Sequence, residues 1–367
     1  MNRLCVKAGP GAFRRIRDGG FTLDAVTCYA GPAVGPRWLI AGGFDLTLIK
    51  EQVLGRTRPL TLIGASAGAW RFAAWIQPEA EKSYRALRKA YIETIYTRTD
   101  RPTTIRESLI SIIDRAIEND ALPFALNSRN YRLAVITARS RRLAASKNPL
   151  LQRLGFAGAF LANTVKRSWL YNFQERVVFF SGPKPPAFTL RPDFRGVYVP
   201  LNTTNFKPAL VASGAIPLLV AGIRDIYGAP RGVYRDGGLV DYHLAQNFGA
   251  GENDLTLLFL HQDRLIPGWL DKRLVKRKPA AADLHNLILV HPAEEFVASL
   301  PGGKVPDRDD FVTFLDDPQT RIANWRRAVA AAEPLGEIFL ELVAGGRIRE
   351  LVRPLTDNGT GDGRPKP

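Results

Sequence analysis

The sequence contains little cysteine, methionine or histidine and lacks any long apolar run. Two of its 367 residues are cysteines, so at most one disulfide can form, and a scaffold held by several disulfides is excluded. The longest stretch without a charged residue, 208–223, contains two prolines and is shorter than the roughly 20 apolar residues that a membrane-spanning helix needs. The N-terminus has no apolar core of the kind found in signal peptides. We therefore expect a cytoplasmic protein that attaches to a membrane peripherally at most.

Acidic residues are also scarce relative to basic ones. The chain has 51 Lys and Arg against 35 Asp and Glu, a formal net charge of +16. Such a surplus suits nucleic acid, an anionic membrane surface or an acidic substrate as partner. We find no helix-turn-helix, zinc-finger or RNA-binding aromatic motif beside the charge, so we do not expect nucleic acid. The hydrophobic share of 46% is typical of a globular protein with a sizeable core, and the sequence leaves the oligomeric state open.

The pattern of apolar residues predicts an α/β fold. Several predicted strands are continuous apolar runs, which is typical of strands covered on both faces. Helical periodicity lies between many of them, so we predict a three-layer α/β/α fold with a largely parallel central sheet. The predicted strands are 25–30, 60–63, 131–138, 176–180, 197–201, 255–260 and 286–290.

We find neither an internal repeat nor a linker, and therefore predict one domain over residues 1–355. Its C-terminal part, about 317–352, has helical spacing interrupted at 334–336. Residues 356–367 are polar and rich in glycine and proline, so we expect a disordered tail.

One pentapeptide has the form G-x-S-x-G and lies between a predicted strand and a predicted helix. It reads Gly64-Ala-Ser-Ala-Gly68, with Ser66 at its centre. This context is that of a nucleophile elbow, in which a tight turn lifts a serine hydroxyl out of the sheet. The following helix directs N–H groups and the positive end of its dipole at a developing negative charge. The alternative is a glycine-rich turn that holds a serine without a chemical role.

A serine hydroxyl needs a base to act as a nucleophile. All four histidines follow Ser66, so a Ser-Asp-His triad with His261 or His291 as base is available in chain order. The other candidate is Asp236, which begins an Asp-Gly-Gly sequence at the end of a short strand-like segment. On its own, Asp-Gly-Gly is a common turn.

The two motifs together resemble the patatin-like phospholipases, which are lipid acyl hydrolases with a Ser–Asp dyad. Two further segments are similar to that family, Ala212-Ser-Gly-Ala-Ile-Pro217 before the aspartate and Gly35-Pro-Arg-Trp38 after the first predicted strand. The resemblance spans about residues 26 to 244 in the family's order.

The resemblance implies that Ser66 is the nucleophile and Asp236 its general base, with no metal and no cofactor. It implies a phospholipid or another fatty-acyl ester as substrate. Motif glycines that match the family's pattern are Gly64, Gly68, Gly237 and Gly238, and residues that match its oxyanion loop are Gly31, Gly35 and Arg37.

The chain departs from the family's pattern in two places. The oxyanion loop usually begins with three consecutive glycines, whereas here it reads Ala30-Gly-Pro-Ala-Val-Gly-Pro36, which resembles a divergent branch with a Gly-Pro-Lys-Trp-like loop. Pro32 and Pro36 have no N–H to donate. Tyr242-His243 also replaces the usual residues after Asp-Gly-Gly, so the oxyanion donors stay open.

Two segments, 139–171 and 264–278, combine basic with apolar residues. Such mixtures suit the interface of an anionic membrane, but they also occur in helices that pack on the core with a solvated basic face. An alternative from a different class is a basic scaffold or nucleic-acid-binding protein whose hydrolase motifs are inactive.

Overall fold

The structure is a computed structural model and describes residues 3–186, 188, 195–249, 251 and 253–355. The tail predicted at 356–367 lies outside the described residues. Over the part that is described, the chain alternates strands and helices around one mixed sheet. The strands are β1 Leu4–Ala8, β2 Val26–Gly31, β3 Leu60–Ala65, β4 Tyr131–Ser140, β5 Gln174–Phe180, β6 Val197–Pro200, β7 Ile223–Arg224, β8 Val233–Asp236, β9 Leu255–Phe259, β10 Leu287–Pro292 and β11 Arg353–Pro354.

Helices flank the sheet on both faces. They are α1 Pro10–Arg17, α2 Gly42–Glu51, α3 Ala67–Trp75, α4 Ala80–Glu93, α5 Pro102–Ala116, α6 Leu122–Leu126, α7 Pro149–Val165, α8 Phe206–Ser213, α9 Glu294–Ala298, α10 Asp309–Thr313, α11 Pro318–Ala332, α12 Leu335–Ala344 and α13 Ile348–Leu351. None of the helices in the described ranges is long and apolar enough to cross a membrane.

The strand order is β11-β1-β10-β9-β2-β3-β4-β5-β6, with β8 paired to β4 and β7 paired to β8. The five central strands, β10 through β4, run parallel, whereas β1 joins one side and β5 and β8 the other in antiparallel pairing. Strands β9 and β10 are buried along their whole length because helices cover both faces. The prediction of an α/β fold with a largely parallel sheet is confirmed.

The predicted strands correspond to β2 to β6, β9 and β10, and the C-terminal helices α11 to α13 match the predicted helical region. Strand β1, which lies between β11 and β10, was not predicted, because its five residues alternate buried and half-buried positions and give little apolar signal; β7 and β11, of two residues each, were not predicted either. The mostly apolar segment from Arg37 to Lys50 predicts one helix, whereas the structure has a 3-10 helix, Gly35–Ala41, followed by α2.

One buried carboxylate joins the elements behind the predicted nucleophile elbow. Asp45 of α2 accepts two bonds from Arg71 of α3, with Nε–Oδ2 at 2.7 Å and Nη2–Oδ1 at 2.9 Å. Tyr29 of β2 donates to Oδ1 at 2.6 Å, and Tyr84 of α4 donates to Oδ2. All four side chains are fully buried. Because the Asp45 carboxylate accepts four bonds from this group, the network fixes α3 against its neighbours.

We predict that Arg71→Leu lowers the free energy of unfolding by about 3–5 kcal/mol, since it leaves Asp45 charged and buried without its cation. Arg85→Ala is the matched control. Arg85 pairs with Glu81 at 2.8 Å on an exposed face of α4, and its loss costs about 0.5 kcal/mol or less. Urea denaturation of both variants measures the difference, and equal losses would contradict the assigned role of the buried pair.

Candidate active site

Ser66 and Asp236 are brought together by two strands that end against neighbouring residues of β4. Strand β3 runs parallel to β4, and its last pair is Ala65 with Ile136. Strand β8 runs antiparallel to β4 and ends where Asp236 pairs with Thr137. Because the two strands approach from opposite directions along one side of β4, their carboxyl ends face each other. Residues 170 positions apart in sequence therefore meet through backbone pairing.

The Ser66 hydroxyl donates a hydrogen bond to Asp236 Oδ2 at 3.0 Å. Ser66 has φ 54° and ψ −128°, a strained conformation for a residue with a side chain and one expected at a tight strand-to-helix turn. Its N–H donates to Ser213 Oγ at 2.8 Å, and that hydroxyl donates to the carbonyl of Ile136 at 2.6 Å. Ser213 thus ties the strained turn to β4.

Close backbone contacts explain the motif glycines. A Cβ on Gly68 would lie 1.9 Å from the carbonyl oxygen of Gly31, and one on Gly64 would lie 2.4 Å from the backbone of α3. A Cβ on Gly237 would lie 2.1 Å from the carbonyl oxygen of Ile136. Any side chain at these three positions would push β2, β3, β4 and α3 apart.

The Asp236 carboxylate is held by a second donor. Its Oδ1 accepts the N–H of Gly238 at 2.7 Å, which leaves Oδ2 directed at Ser66. Burial raises the pKa of Asp236 above the ordinary aspartate value, although Arg308, the Gly238 N–H, the Ser66 hydroxyl and Lys272 oppose the shift. A raised pKa makes the carboxylate a better proton acceptor at neutral pH.

Two basic side chains, Arg308 and Lys272, lie near enough to Asp236 to lower its pKa, and a third, Arg37, lies near Lys272. Arg308 lines the cavity at Ser66, and Arg37 and Lys272 lie close enough to interact with each other electrostatically. Burial, Arg308 and Arg37 lower the pKa of Lys272 to about 7, and its Nζ lies 4.4 Å from the Tyr242 ring centroid. Of the three, only Arg37 belongs to the loop whose sequence resembles the family's oxyanion loop. Arg308 was missed because a lone arginine in a polar segment carries no local signal.

An apolar cavity of about 440 Å³ opens beside Ser66. Its volume falls within the range of small-molecule sites. It runs past α5 and α10, and most of its wall is aromatic or aliphatic. Lining residues include Trp70, Tyr91, Leu109, Ile112, Phe311 and Leu315. A larger concavity of about 1180 Å³ lies by the amino-terminal ends of β3 and β4, away from Ser66.

In the loop after β2, several backbone N–H groups are already bonded within the protein or are absent at prolines, so few can donate to an oxyanion. The N–H of Ala33 donates to the carbonyl of Tyr242 at 2.8 Å, and the N–H of Val34 donates to that of Pro32 at 3.0 Å. Gly35 has φ 59°, lines the cavity with Ser66 and starts the 3-10 helix Gly35–Ala41. Gly35 is therefore the residue of this loop that lines the same cavity as Ser66.

The other two residues predicted for the oxyanion hole lie on either side of this loop, Gly31 at the end of β2 and Arg37 in the 3-10 helix. Gly31 ends β2, where it pairs with Gly64 and touches the backbone of Gly68. Arg37 is half-buried, and its positive charge lowers the pKa of Tyr242 against the larger effect of burial. Gly31 thus has a packing contact, and Arg37 acts through its charge.

A histidine base does not reach the serine. Among the described residues, no histidine hydrogen-bonds Ser66 or Asp236. His291 lies on β10 with its Nδ1 3.0 Å from the carbonyl of Pro292, and His261 packs against His243 with ring centroids 5.9 Å apart. Among the described residues, Ser66 and Asp236 thus form a pair without a histidine. In the described part of the chain no group of three or more His, Cys, Asp or Glu side chains could hold a metal ion.

No model of a known protein family matches the chain, and no curated protein matches it.

We predict that His261 destabilises the fold at acidic pH. Burial, with help from Arg37, lowers the pKa of His261 to about 3. The unfolded chain takes up a proton there near pH 6.5 and the folded chain does not, so stability falls as the pH drops below 6.5 and levels off near 3. The free energy of unfolding of wild type should fall between about pH 7.5 and about pH 5. For His261→Gln this fall should be about 2 kcal/mol smaller. Urea denaturation at both pH values measures this.

The control is His285→Gln, which removes a half-buried histidine far from the serine. If both variants keep the wild-type dependence on pH, His261 does not carry the effect.

Proposed function

We propose that the protein is a serine acyl hydrolase of the patatin-like type, which cleaves a phospholipid or another fatty-acyl ester. The supporting observation is the bond of 3.0 Å from Ser66 Oγ to Asp236 Oδ2, on a strained turn at the mouth of an apolar cavity. The cavity suits an acyl chain because hydrocarbon gains free energy on leaving water for an apolar wall.

In this proposal Asp236 takes the proton of Ser66 as the hydroxyl oxygen attacks the ester carbonyl. The C–O bond to the leaving alcohol then breaks, and the protonated carboxyl returns its proton to that alcohol. A water molecule, deprotonated by the same carboxylate, attacks the acyl-serine and releases the fatty acid. One residue thus acts as base and acid in both half-reactions.

The negative oxygen of the tetrahedral intermediate needs donors placed before the reaction starts. We assign this role to the N–H of Ala67, the first residue of α3, and to that of Gly35, since both residues line the cavity with Ser66. The positive end of the α3 dipole adds to the effect. Arg37, Lys272 and Arg308 supply positive charge near the reacting carbonyl, where the phosphate of a phospholipid would lie.

We predict that Ser66→Ala and Asp236→Asn each reduce kcat/KM for p-nitrophenyl butyrate and for phosphatidylcholine by about 10³-fold or more. Both substitutions are nearly isosteric, so the fold should persist, which circular dichroism can check. A fluorophosphonate probe should label Ser66 in wild type, and mass spectrometry of the labelled peptide identifies the site.

Separate His261→Gln and His291→Gln variants distinguish the Ser66–Asp236 dyad from a Ser-Asp-His triad. Both should keep activity within about tenfold of wild type, because neither histidine contacts the serine. Loss of activity in one of them, with Asp236→Asn still active, would establish a triad instead. A wild-type protein that neither hydrolyses esters nor reacts with the probe would favour the inactive scaffold.

The acyl cavity allows a second prediction. Leu109 lines it, whereas the next residue, Ile110, faces solvent with 38% of its surface exposed. Leu109→Trp should fill the cavity and lower kcat/KM for a long-chain ester by about tenfold or more, with little change for a butyrate ester. Ile110→Trp is the matched control and should leave the ratio of the two substrates unchanged. A ratio that Leu109→Trp does not alter would place the acyl chain elsewhere.

A further inference from the structure

A second cavity, of about 420 Å³, lies beside the acyl cavity and differs from it in charge. Val220 lines both, so the segment around it separates the two spaces. Four basic residues line the second cavity, and among its described lining residues none is acidic. They are Arg106 of α5, Lys147 in the turn before α7, Arg224 of β7 and Arg235 of β8.

Arg235 is the most unusual of these residues because it is buried without a counter-ion. Only 5% of its surface is exposed, its Nε has no hydrogen-bond partner, and its Nη1 donates one long bond of 3.3 Å to the carbonyl of Val220. Among the described residues no carboxylate pairs with it. Burial and the neighbouring Arg224 lower its pKa to about 10.

The other buried arginines among the described residues have closer partners. Arg321 has no carboxylate, but it donates to the carbonyls of Ile92 and Thr94 at 3.1 and 2.7 Å and lies over the rings of Phe311 and Trp325. Arg71 forms two bonds to Asp45, and Arg176 forms two bonds to Asp241, at 2.6 and 2.7 Å. A buried charge without a partner is strongly unfavourable. The contrast indicates that the partner of Arg235 comes from outside the chain and enters through the cavity.

Two helices add positive charge at the same place. Residues of the first turn of α5, Pro102 and Thr103, and of the first turn of α7, Pro149 and Gln152, line the cavity. Helix N-termini favour anions through their dipoles. Asn148 caps the first N–H groups of α7, so the side chains and the dipole, rather than those amides, would hold a ligand.

The rim of the cavity is apolar and exposed to solvent. Leu218 lines it with 42% of its surface exposed, and Leu150, at the start of α7, is 66% exposed. Further along α7 the large exposed side chains are Leu151, Leu154, Leu161 and Val165. Leucines that face water beside a cationic cavity match a membrane surface, in which acyl chains lie next to anionic headgroups.

We propose that this cavity binds the phosphate group of an anionic membrane lipid, with Arg235 buried at its base, Arg106, Arg224 and Lys147 nearer solvent, and the leucines of α7 in the lipid surface. The site is separate from Ser66 and does not depend on hydrolysis there. The segment 264–278, also basic and apolar, is not part of it, since Lys272 faces Asp236 and Arg277 pairs with Asp271.

The test is sedimentation of the full-length Ser66→Ala protein, which cannot degrade the lipid, with vesicles of phosphatidylcholine alone or mixed with phosphatidic acid. Phosphatidic acid should tighten binding about tenfold or more. Arg235→Met, and separately the double variant Arg106→Gln/Arg224→Gln, should lose about tenfold of that gain. Arg14→Gln, which removes an exposed charge on α1 at the other edge of the sheet, should lose none of it.

Thermal melting shows whether the variants are folded and which source supplies the phosphate. In phosphate-free buffer Arg235→Met should melt no lower than the parent protein, because an unpaired buried charge has been removed. The double variant changes partly or fully exposed side chains and should melt like the parent. Glycerol 3-phosphate should raise the melting temperature of the parent protein but of neither variant.

Two outcomes would overturn the proposal. The first is binding to phosphatidic acid vesicles that neither Arg235→Met nor the double variant weakens. The second is stabilisation by glycerol 3-phosphate that Arg235→Met abolishes, without any gain in binding from phosphatidic acid in vesicles, which would identify a soluble anion as the ligand. Neither outcome bears on ester hydrolysis, which the Ser66 and Asp236 variants test separately.

Discussion

Backbone pairing along β4 is the constraint on which the candidate site depends. One half of this strand holds β3 and the other half holds β8, so the two partners end against each other at Ile136 and Thr137. Hydrogen bonds of a sheet fix strand ends more precisely than a loop could. The strand pairing alone therefore places the backbones of Ser66 and Asp236 close enough for their side chains to form a hydrogen bond. The Ser213 hydroxyl and the Gly238 amide then refine their orientation.

Positive charge is distributed over this structure in three distinct ways. Some arginines are neutralised inside the fold, as Arg71 is by Asp45. A second group lies at the buried carboxylate, where Arg308 and Lys272 lower the proton affinity of Asp236 and Arg37 acts on Lys272. The third group lines the cavity at Arg235, where the described residues provide no anion. The basic residues behind the formal net charge of +16 are therefore not spread evenly over the surface, and some of them form these local groups.

Much of the sheet, the turn at Ser66 and the aspartate at position 236 could be predicted from sequence. Apolar runs in the sequence predict the strands β2, β3, β4, β9 and β10. The G-x-S-x-G motif between a strand and a helix predicts the tight turn at Ser66. The contributions of Ser213, Lys272 and Arg308 could not be predicted, because tertiary contacts alone bring them to Ser66. Ser213 did lie in a segment that resembled the family's, Ala212–Pro217, which is the one signal that pointed to it.

Strand β4 pairs with β3 and β8 on one side and with β5 on the other. The segment between β4 and β5, which includes α7 and its exposed leucines, leaves the sheet after Ser140 and returns to it at Gln174, the partner of Ser140 in β5. Surface segments of this kind tolerate exchange and growth, since longer loops close at little entropic expense. Grafting a different segment between β4 and β5 would therefore change the surface that carries the exposed leucines, whereas the pairing of β3 and β8 with β4 would still hold Ser66 and Asp236 in register.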